Sequence, residues 1–289
     1  MNRILAMGSA VAVAALCVAA TAAPARADDW SKTYQVSSRA DLHVTTDDGD
    51  VNIMPTDQKQ IDAKVITDGY KIGPSDVRIE ESQNGDHVSL AVRMPHMSWS
   101  FWGGSHHRSI HVELRVPRDL DLEVKTGDGN VTSQAVAGRI YFDTGDGNIT
   151  ATGLKGEMHL HSGDGHIEAG GLDGSLRVDT GDGHVNIRGR FDSLDVNTGD
   201  GSIEAEASSG SRINSPWAIK TGDGHINLRI ANDLKADLSA HTGDGSITLD
   251  FPITVSGSLS HSSVNGKLNG GGGELRLTSG DGSIHLEKL

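Results

Sequence analysis

Hydrophobic and polar residues alternate along most of this chain, and the alternation recurs in phase with a short fixed motif. Around Thr180, Leu176 and Val178 alternate with Arg177 and Asp179; Gly181-Asp182-Gly183 interrupts, and Val185 and Ile187 resume the pattern. The same columns return elsewhere. Four positions before the motif stand Leu122, Ile140, Met158, Leu176, Leu194 and Trp217, and two before it stand Val124, Phe142, Leu160, Val178, Val196 and Ile219. Five after its first residue stand Val131, Ile149, Ile167, Val185, Ile203 and Ile226. Alternation of period two predicts half-buried strands.

The motif itself is Thr/Ser-Gly-Asp-Gly, a polar residue, then Val or Ile. It begins at Thr126, Thr144, Ser162, Thr180, Thr198, Thr221, Thr242 and Ser279, and the first five copies are 18 residues apart. A fixed short period marks a stacked-repeat architecture. Within one repeat the apolar columns are spaced 2, 7, 2, 7. Seven is odd, so a continuous pleat would throw the second pair onto the opposite face. Both pairs reach one core only if the chain turns a corner inside each seven-residue gap. The expectation is an all-β chain forming a parallel β-solenoid (β-helix) with 18-residue coils of two nine-residue halves. Gly129, Gly138, Gly147, Gly156, Gly165, Gly174 and Gly183 mark the corners, where glycine is expected to supply φ > 0. The rival is an antiparallel meander, because Asp-Gly between alternating strands is also a hairpin signal. Recurrence in the same rather than mirrored order favours like-on-like parallel stacking.

Three regions follow. Residues 1–27 read as a cleaved secretory signal peptide: Arg3, an apolar run over 4–20, then Ala25-Arg26-Ala27 as the processing site. Cys17, the only cysteine, falls inside it, so the mature chain would carry no disulfide and no thiol chemistry. No later segment is long and apolar enough to span a membrane as a helix. Residues 28–118 form a strand-rich N-terminal region that caps or starts the solenoid, with strands expected over 60–68, 76–81, 87–94 and 108–116. Residues 40–53 already carry the repeat pattern, with Leu42, Val44, Thr46-Asp-Asp-Gly, Val51 and Ile53. Residues 119–289 are the array, with insertions over 207–216 and 230–236 and a decayed motif at Ser263-Val-Asn-Gly. The chain stops at Leu289, just past the last motif's strand. A bare strand edge there would template pairing, so weak homo-association through the C-terminal coil edge is expected.

The formal charge is −14, and loss of Arg3 and Arg26 with the signal takes it to −16. Nucleic acid and anionic lipid need Lys/Arg patches, so neither is an expected partner. The motif residues from Thr126 onward, together with the lead-in Val112-Glu-Leu-Arg-Val-Pro-Arg-Asp-Leu120, resemble the bacterial putative-adhesin family of exported β-strand-repeat proteins, a family of unknown function, over 34–289. That resemblance implies a repeat fold and no catalytic residues to carry over; a protein or glycan surface partner is an expectation from the aromatic segment over 94–108.

Four groups could carry chemistry. Asp128, Asp146, Asp164, Asp182, Asp200, Asp223, Asp244 and Asp281 form one column, in which carboxylates about 5 Å apart repel by roughly 1 kcal/mol per pair in water-like dielectric. The reading is structural: each accepts amide N–H groups from its own turn. A calcium β-roll would put its ligand Asp where this chain has Val131, Ile149, Ile167 and Val185. Among the 14 histidines, His161, His166 and His184 could bind a transition metal across neighbouring coils, against the reading of a merely polar column shared with Asn130, Asn148, Ser202, His225 and Ser246. The segment 94–108 gathers Trp99, Phe101 and Trp102 with His96, His106 and His107. It reads as a cap over the solenoid end, as an aromatic binding loop, or as a Met/His copper site. Hydroxyls and carboxylates at every repeat assemble no recognisable nucleophile–base set, and no cofactor motif stands out. The expectation is an exported, non-enzymatic structural or adhesive module of the cell envelope, periplasmic or at the cell surface. The alternative is a metal-binding periplasmic protein using the His/Asp columns or the Met/His/Trp loop.

Overall fold

The computed structural model describes residues 27–37, 39–94, 108–255 and 260–289. Among them the chain is all-β, with strands and no helix. Numbered in chain order, the strands fall into two hydrogen-bonded ladders that the repeat corners connect.

One ladder holds the strands that precede the corners. It starts with β5 (Arg78–Asn84), antiparallel to β6 (His87–Arg93). Parallel pairing then runs through β2 (Ala40–Thr46), β8 (Leu120–Thr126), β10 (Ala137–Thr144) and β12 (Lys155–Ser162). It continues through the later halves of β13 (Ile167–Thr180) and β14 (Val185–Thr198), then β16 (Trp217–Thr221), β22 (Gly273–Ser279) and β18 (Ala236–Thr242). Antiparallel β21 (Ser263–Leu268) and β20 (Ile253–Val255) finish it.

The other ladder holds the strands that follow the corners. Antiparallel β1 (Asp28–Gln35), β4 (Gln60–Asp68) and β7 (Ser109–Pro117) open it. Parallel β3 (Asp50–Thr56), β9 (Val131–Gln134), β11 (Ile149–Thr152) and the early halves of β13 and β14 follow. Then come β15 (Ile203–Ala207), β17 (Ile226–Ile230), β23 (Ile284–Lys288) and β19 (Ile247–Leu249).

In the central repeats, equivalent residues pair in parallel: Ile140 with Met158, Phe142 with Leu160, Ile149 with Ile167, Val185 with Ile203. The apolar columns of both ladders are buried in one cluster, from Leu42 and Ile53 through Phe142, Val178 and Val196 to Ile284 and Leu286. Thr46 pairs with Thr126, so the segment around residues 40–53 stacks on the array in the same phase. Three of the sequence expectations change.

Pairing is not parallel throughout. The N-terminal strands over 28–35, 60–68 and 109–117, and those over 253–268, pair antiparallel. The segment beginning Ser263-Val-Asn-Gly is therefore not a corner: it is a straight strand running back along β18.

The coil carrying Ser279 is not a free edge either. β22 lies between β16 and β18, and β23 between β17 and β19. The expected C-terminal coil edge is thus covered on both sides, which removes the basis for association through it.

Glycine also works differently at the two corners. Gly138, Gly156 and Gly174 have φ of 141°, 109° and 139°, as anticipated. Gly129, Gly147, Gly165 and Gly183 do not lie in the left-handed region. They are glycine because the neighbouring corner leaves no room: a Cβ on Gly165 would stand 1.9 Å from the Gly147 carbonyl oxygen.

Candidate functional site

The motif corners stack into a single row, and their side chains divide the labour. The first residue of every motif, from Thr126 to Ser279, is buried. It sits two positions after a core residue, so the strand alternation turns it inward. Its hydroxyl donates to the equivalent glycine carbonyl of the neighbouring corner, and at Thr144, Ser162, Thr198, Thr221, Thr242 and Ser279 it also accepts the N–H of the second motif glycine. Thr221 Oγ1 accepts from Gly224 N at 3.1 Å and donates to Gly201 O at 2.8 Å. Ser279 Oγ accepts from Gly282 N at 2.9 Å and donates to Gly224 O at 2.9 Å, and Thr242 Oγ1 donates onward to Gly282 O at 2.7 Å. One buried hydroxyl per repeat thus fastens neighbouring corners, and in those six motifs it ties its own turn as well, satisfying groups that would be costly to leave unpaired.

The own-turn amide that the sequence reading gave to the Asp carboxylates therefore goes to these hydroxyls. Asp128, Asp146, Asp164, Asp182, Asp200, Asp223, Asp244 and Asp281 are all exposed. At the N-terminal end Asp48 occupies the same place. Its carboxyl is pushed up by burial and by the neighbouring Asp128 and Asp47 charges, partly offset by a hydrogen bond from the Asp128 backbone.

The position after the motif is more than a solvated column. Each side chain there presents an acceptor that takes the backbone N–H of its counterpart in the adjoining repeat. Asn148 N donates to Asn130 Oδ1 at 2.9 Å, His166 N to Asn148 Oδ1 at 2.8 Å, and His184 N to His166 Nδ1 at 3.0 Å. Ser202 N donates to His184 Nδ1 at 3.1 Å, His225 N to Ser202 Oγ at 3.2 Å, and Ser283 N to His225 Nδ1 at 2.9 Å. Asp50, which takes Asn130 N at 2.9 Å, and the Asn, His and Ser residues share an acceptor close to the backbone, which explains a variety that looked like mere polarity. An Nδ1 that accepts leaves the imidazole proton on Nε2. His166 and His184, stacked with ring centroids 5.2 Å apart, therefore offer no spare lone pair while the row stands. The row predicts that His184→Asn keeps stability within about 0.5 kcal/mol, whereas His184→Leu, which deletes the acceptor at an exposed site, costs about 1 kcal/mol. Urea midpoints followed by circular dichroism compare the two.

The other predicted ligands do not converge. His161 lies 4.0 Å from Asp143, away from the His166–His184 stack. His96, Trp99, Phe101, Trp102, His106 and His107 lie outside the described residues. The described chain leaves β6 and enters β7 where the neighbouring repeat passes from β2 to β3 through its Thr46 corner. Met94 N and Arg93 Nη1 both donate to the Asp47 carboxylate there, at 2.7 and 3.1 Å.

Among the described residues, one set of possible ligands does converge: Asp41, His43 and His87. Asp41 and His87 are register partners on adjacent parallel strands, and His43 is two positions further along the same face. Asp41 Oδ1 lies 3.0 Å from His43 Nε2, and Asp41 Oδ2 lies 2.9 Å from His87 Nδ1. On the far side of His43, Nδ1 lies 2.8 Å from Glu123 Oε2. Glu123 is in turn paired with Lys125 at 2.6 Å. An open groove lined by His43, Glu123, Arg139, Tyr141 and His159 runs on from it. Below it Asp121 binds Arg139 and Arg39, and the Arg139 hydrogen bond holds its carboxyl below the usual range. Sequence reasoning passed over His43 and His87. Asp41-x-His43 on an alternating strand was the one local signal, and His87 joins only through strand pairing.

Residues 40–287 match the family described as Toastrack DUF4097. The chain belongs to the Toastrack family. This agrees with the resemblance that its repeated motif carries. Among curated proteins none matches the sequence. A solved structure described as a "putative lipid binding protein" from Parabacteroides distasonis ATCC 8503 is 15% identical, with a TM-score of 0.51, covering 90% of this Toastrack chain and 96% of its own. A "putative adhesin" from the same strain is 16% identical at a TM-score of 0.41, covering 89% and 96%. A "putative cell adhesion protein" from Clostridium sporogenes ATCC 15579 is 12% identical at 0.31, covering 91% and 100%. At 15% identity the first likeness shows the fold alone.

Proposed function

We propose that this Toastrack chain is an exported, non-enzymatic parallel β-solenoid that serves as a structural or adhesive module of the cell envelope. Its coils would be 18 residues in two nine-residue halves. Residues 1–27 act as the signal peptide, 28–118 start and cap the winding, and 119–289 form the array. The observation that carries the reading is the row of buried hydroxyls. Each repeat commits its Thr or Ser, both corner glycines and its post-motif acceptor to stacking on the next. What it presents outward is a row of exposed Asp residues at the strand spacing of about 4.8 Å. A periodic surface engages periodic partners through many weak contacts at once.

The partner side is assigned to Trp99, Phe101 and Trp102, with a protein or glycan as the surface ligand. Its support is the attachment of both neighbouring strands beside the Thr46 corner, at the head of the Asp row. Two measurements test the reading. Expression of the full chain in a Gram-negative host should yield a periplasmic or released species whose first residue is Asp28; a cytoplasmic chain with residues 1–27 intact rejects export. Purified protein should bind isolated envelope, and Trp99→Ala/Phe101→Ala/Trp102→Ala should reduce that binding at least 10-fold, about 1.4 kcal/mol. Equal binding by the variant takes the aromatic segment out of the reading.

A further inference from the structure

We propose that Asp41, His43 and His87 form a binding site for a divalent transition cation of the cobalt-to-zinc group, on the outer face of β2 and β6. The case begins with His43. Its two ring nitrogens face two carboxylates, Glu123 at 2.8 Å and Asp41 at 3.0 Å. A neutral imidazole has one N–H and one lone pair. With Nδ1–H donated to Glu123, the Nε2 lone pair points at an Asp41 oxygen, a repulsion that either a second ring proton or a metal cation on Nε2 relieves. The convergence of His87 on the same carboxylate favours the metal. The result is the carboxylate–histidine–metal relay, in which an outer carboxylate fixes the tautomer and raises the basicity of the ligating nitrogen.

His87 completes the set from the opposite strand. Its Nδ1 lies 2.9 Å from the other Asp41 oxygen, and the ring centroids of His43 and His87 are 5.0 Å apart. All three ligand atoms lie within 4.8 Å of one another. Small side-chain rotations would gather them at the ~2.0–2.2 Å metal–ligand distances of zinc. Two imidazoles and one carboxylate select a borderline cation over calcium or magnesium, which take oxygen ligands. The three side chains are 39–48% exposed, so solvent has access and at least one coordination position stays open to water or to a partner's ligand. Nearby cations do not compete for Asp41 in the described ion pairs: Arg39 and Arg139 are taken by Asp121, and Lys125 by Glu123. The pairing holds the site rigidly, because β6, β2 and β8 are consecutive neighbours in one ladder.

Untagged, chelator-stripped protein titrated calorimetrically with cobalt(II) or zinc(II) chloride should bind one equivalent per chain. Cobalt should show visible d–d absorption, and excess calcium or magnesium should not compete. Glu123→Gln should weaken binding about 10-fold. His43→Gln and His87→Gln should weaken it further, with circular dichroism unchanged because both side chains are exposed. His161→Gln and the triple variant His96→Gln/His106→Gln/His107→Gln should bind as the parent does. Absence of binding in the parent overturns the proposal. So does undiminished binding by the His43→Gln/His87→Gln double variant, or its loss in the triple variant.

Discussion

Gly165→Ala should unfold the middle of the array, while Gly170→Ala, five residues further along the same repeat, should be harmless. A Cβ at 165 would lie 1.9 Å from the Gly147 carbonyl oxygen and 2.8 Å from Ser162 Oγ. The first of these is backbone fixed by pairing on both sides, so no side-chain rotation relieves the overlap. Separating the two corners means breaking the hydroxyl link and the Gly163 N–Gly145 O bond beside it. A cost above about 4 kcal/mol, in the exceptional tail of single substitutions, is the expected result. At 170 nothing lies within 4 Å of the added carbon and φ is outside the left-handed region. There the loss of unfolded-chain entropy should stabilise by about 0.5 kcal/mol. Chemical denaturation of both proteins decides the matter, and matching midpoints would refute the close-approach account of the motif's second glycine.

Thr221→Val is the second large effect. Valine matches threonine in shape but leaves Gly224 N–H and Gly201 C=O without their partner in a site 1% exposed. Each orphaned group costs about 1–3 kcal/mol, so a loss near 3 kcal/mol is expected. Thr221→Ser keeps the hydroxyl, as Ser162 and Ser279 do at the same place, and should cost only the lost methyl, about 0.8 kcal/mol. If serine and valine proved equally damaging, packing of the methyl rather than the hydroxyl row would be what joins the corners.

Much of this was legible because the period is strict. An 18-residue repeat with buried columns at Leu176, Val178, Val185 and Ile187 forces equivalent residues into register, and Ile167 pairs with Val185 accordingly. The inward direction of Thr180 was also readable, since it follows Val178 by two. Its hydroxyl role was missed because Asp-Gly drew attention to the carboxylate as the turn former. Partner choice was the illegible part. The segment Gln60–Asp68 reads correctly as a strand, yet nothing local says that it runs antiparallel between β1 and β7. Likewise Leu275, Leu277 and Ser279 carry the same pattern as Leu238, Ala240 and Thr242. Two equivalent patterns compete for the place beside β16, and sequence order does not decide between them. The His43–His87 pairing fails for the same reason: 44 residues separate two side chains that only strand pairing brings together.

The position of β22 and β23 bears on how the molecule is made. From β8 through Ile230 each emerging repeat finds its neighbour already in place, so that part of the ladders grows in chain order. β18 and β19 then emerge before the strands that join them to β16 and β17. Until residues 273–288 arrive, two pairs of strand edges stand open, and open edges capture foreign strands. A product truncated before residue 273 would lack the strands that join β18 to β16 and β19 to β17, leaving a gap in both ladders.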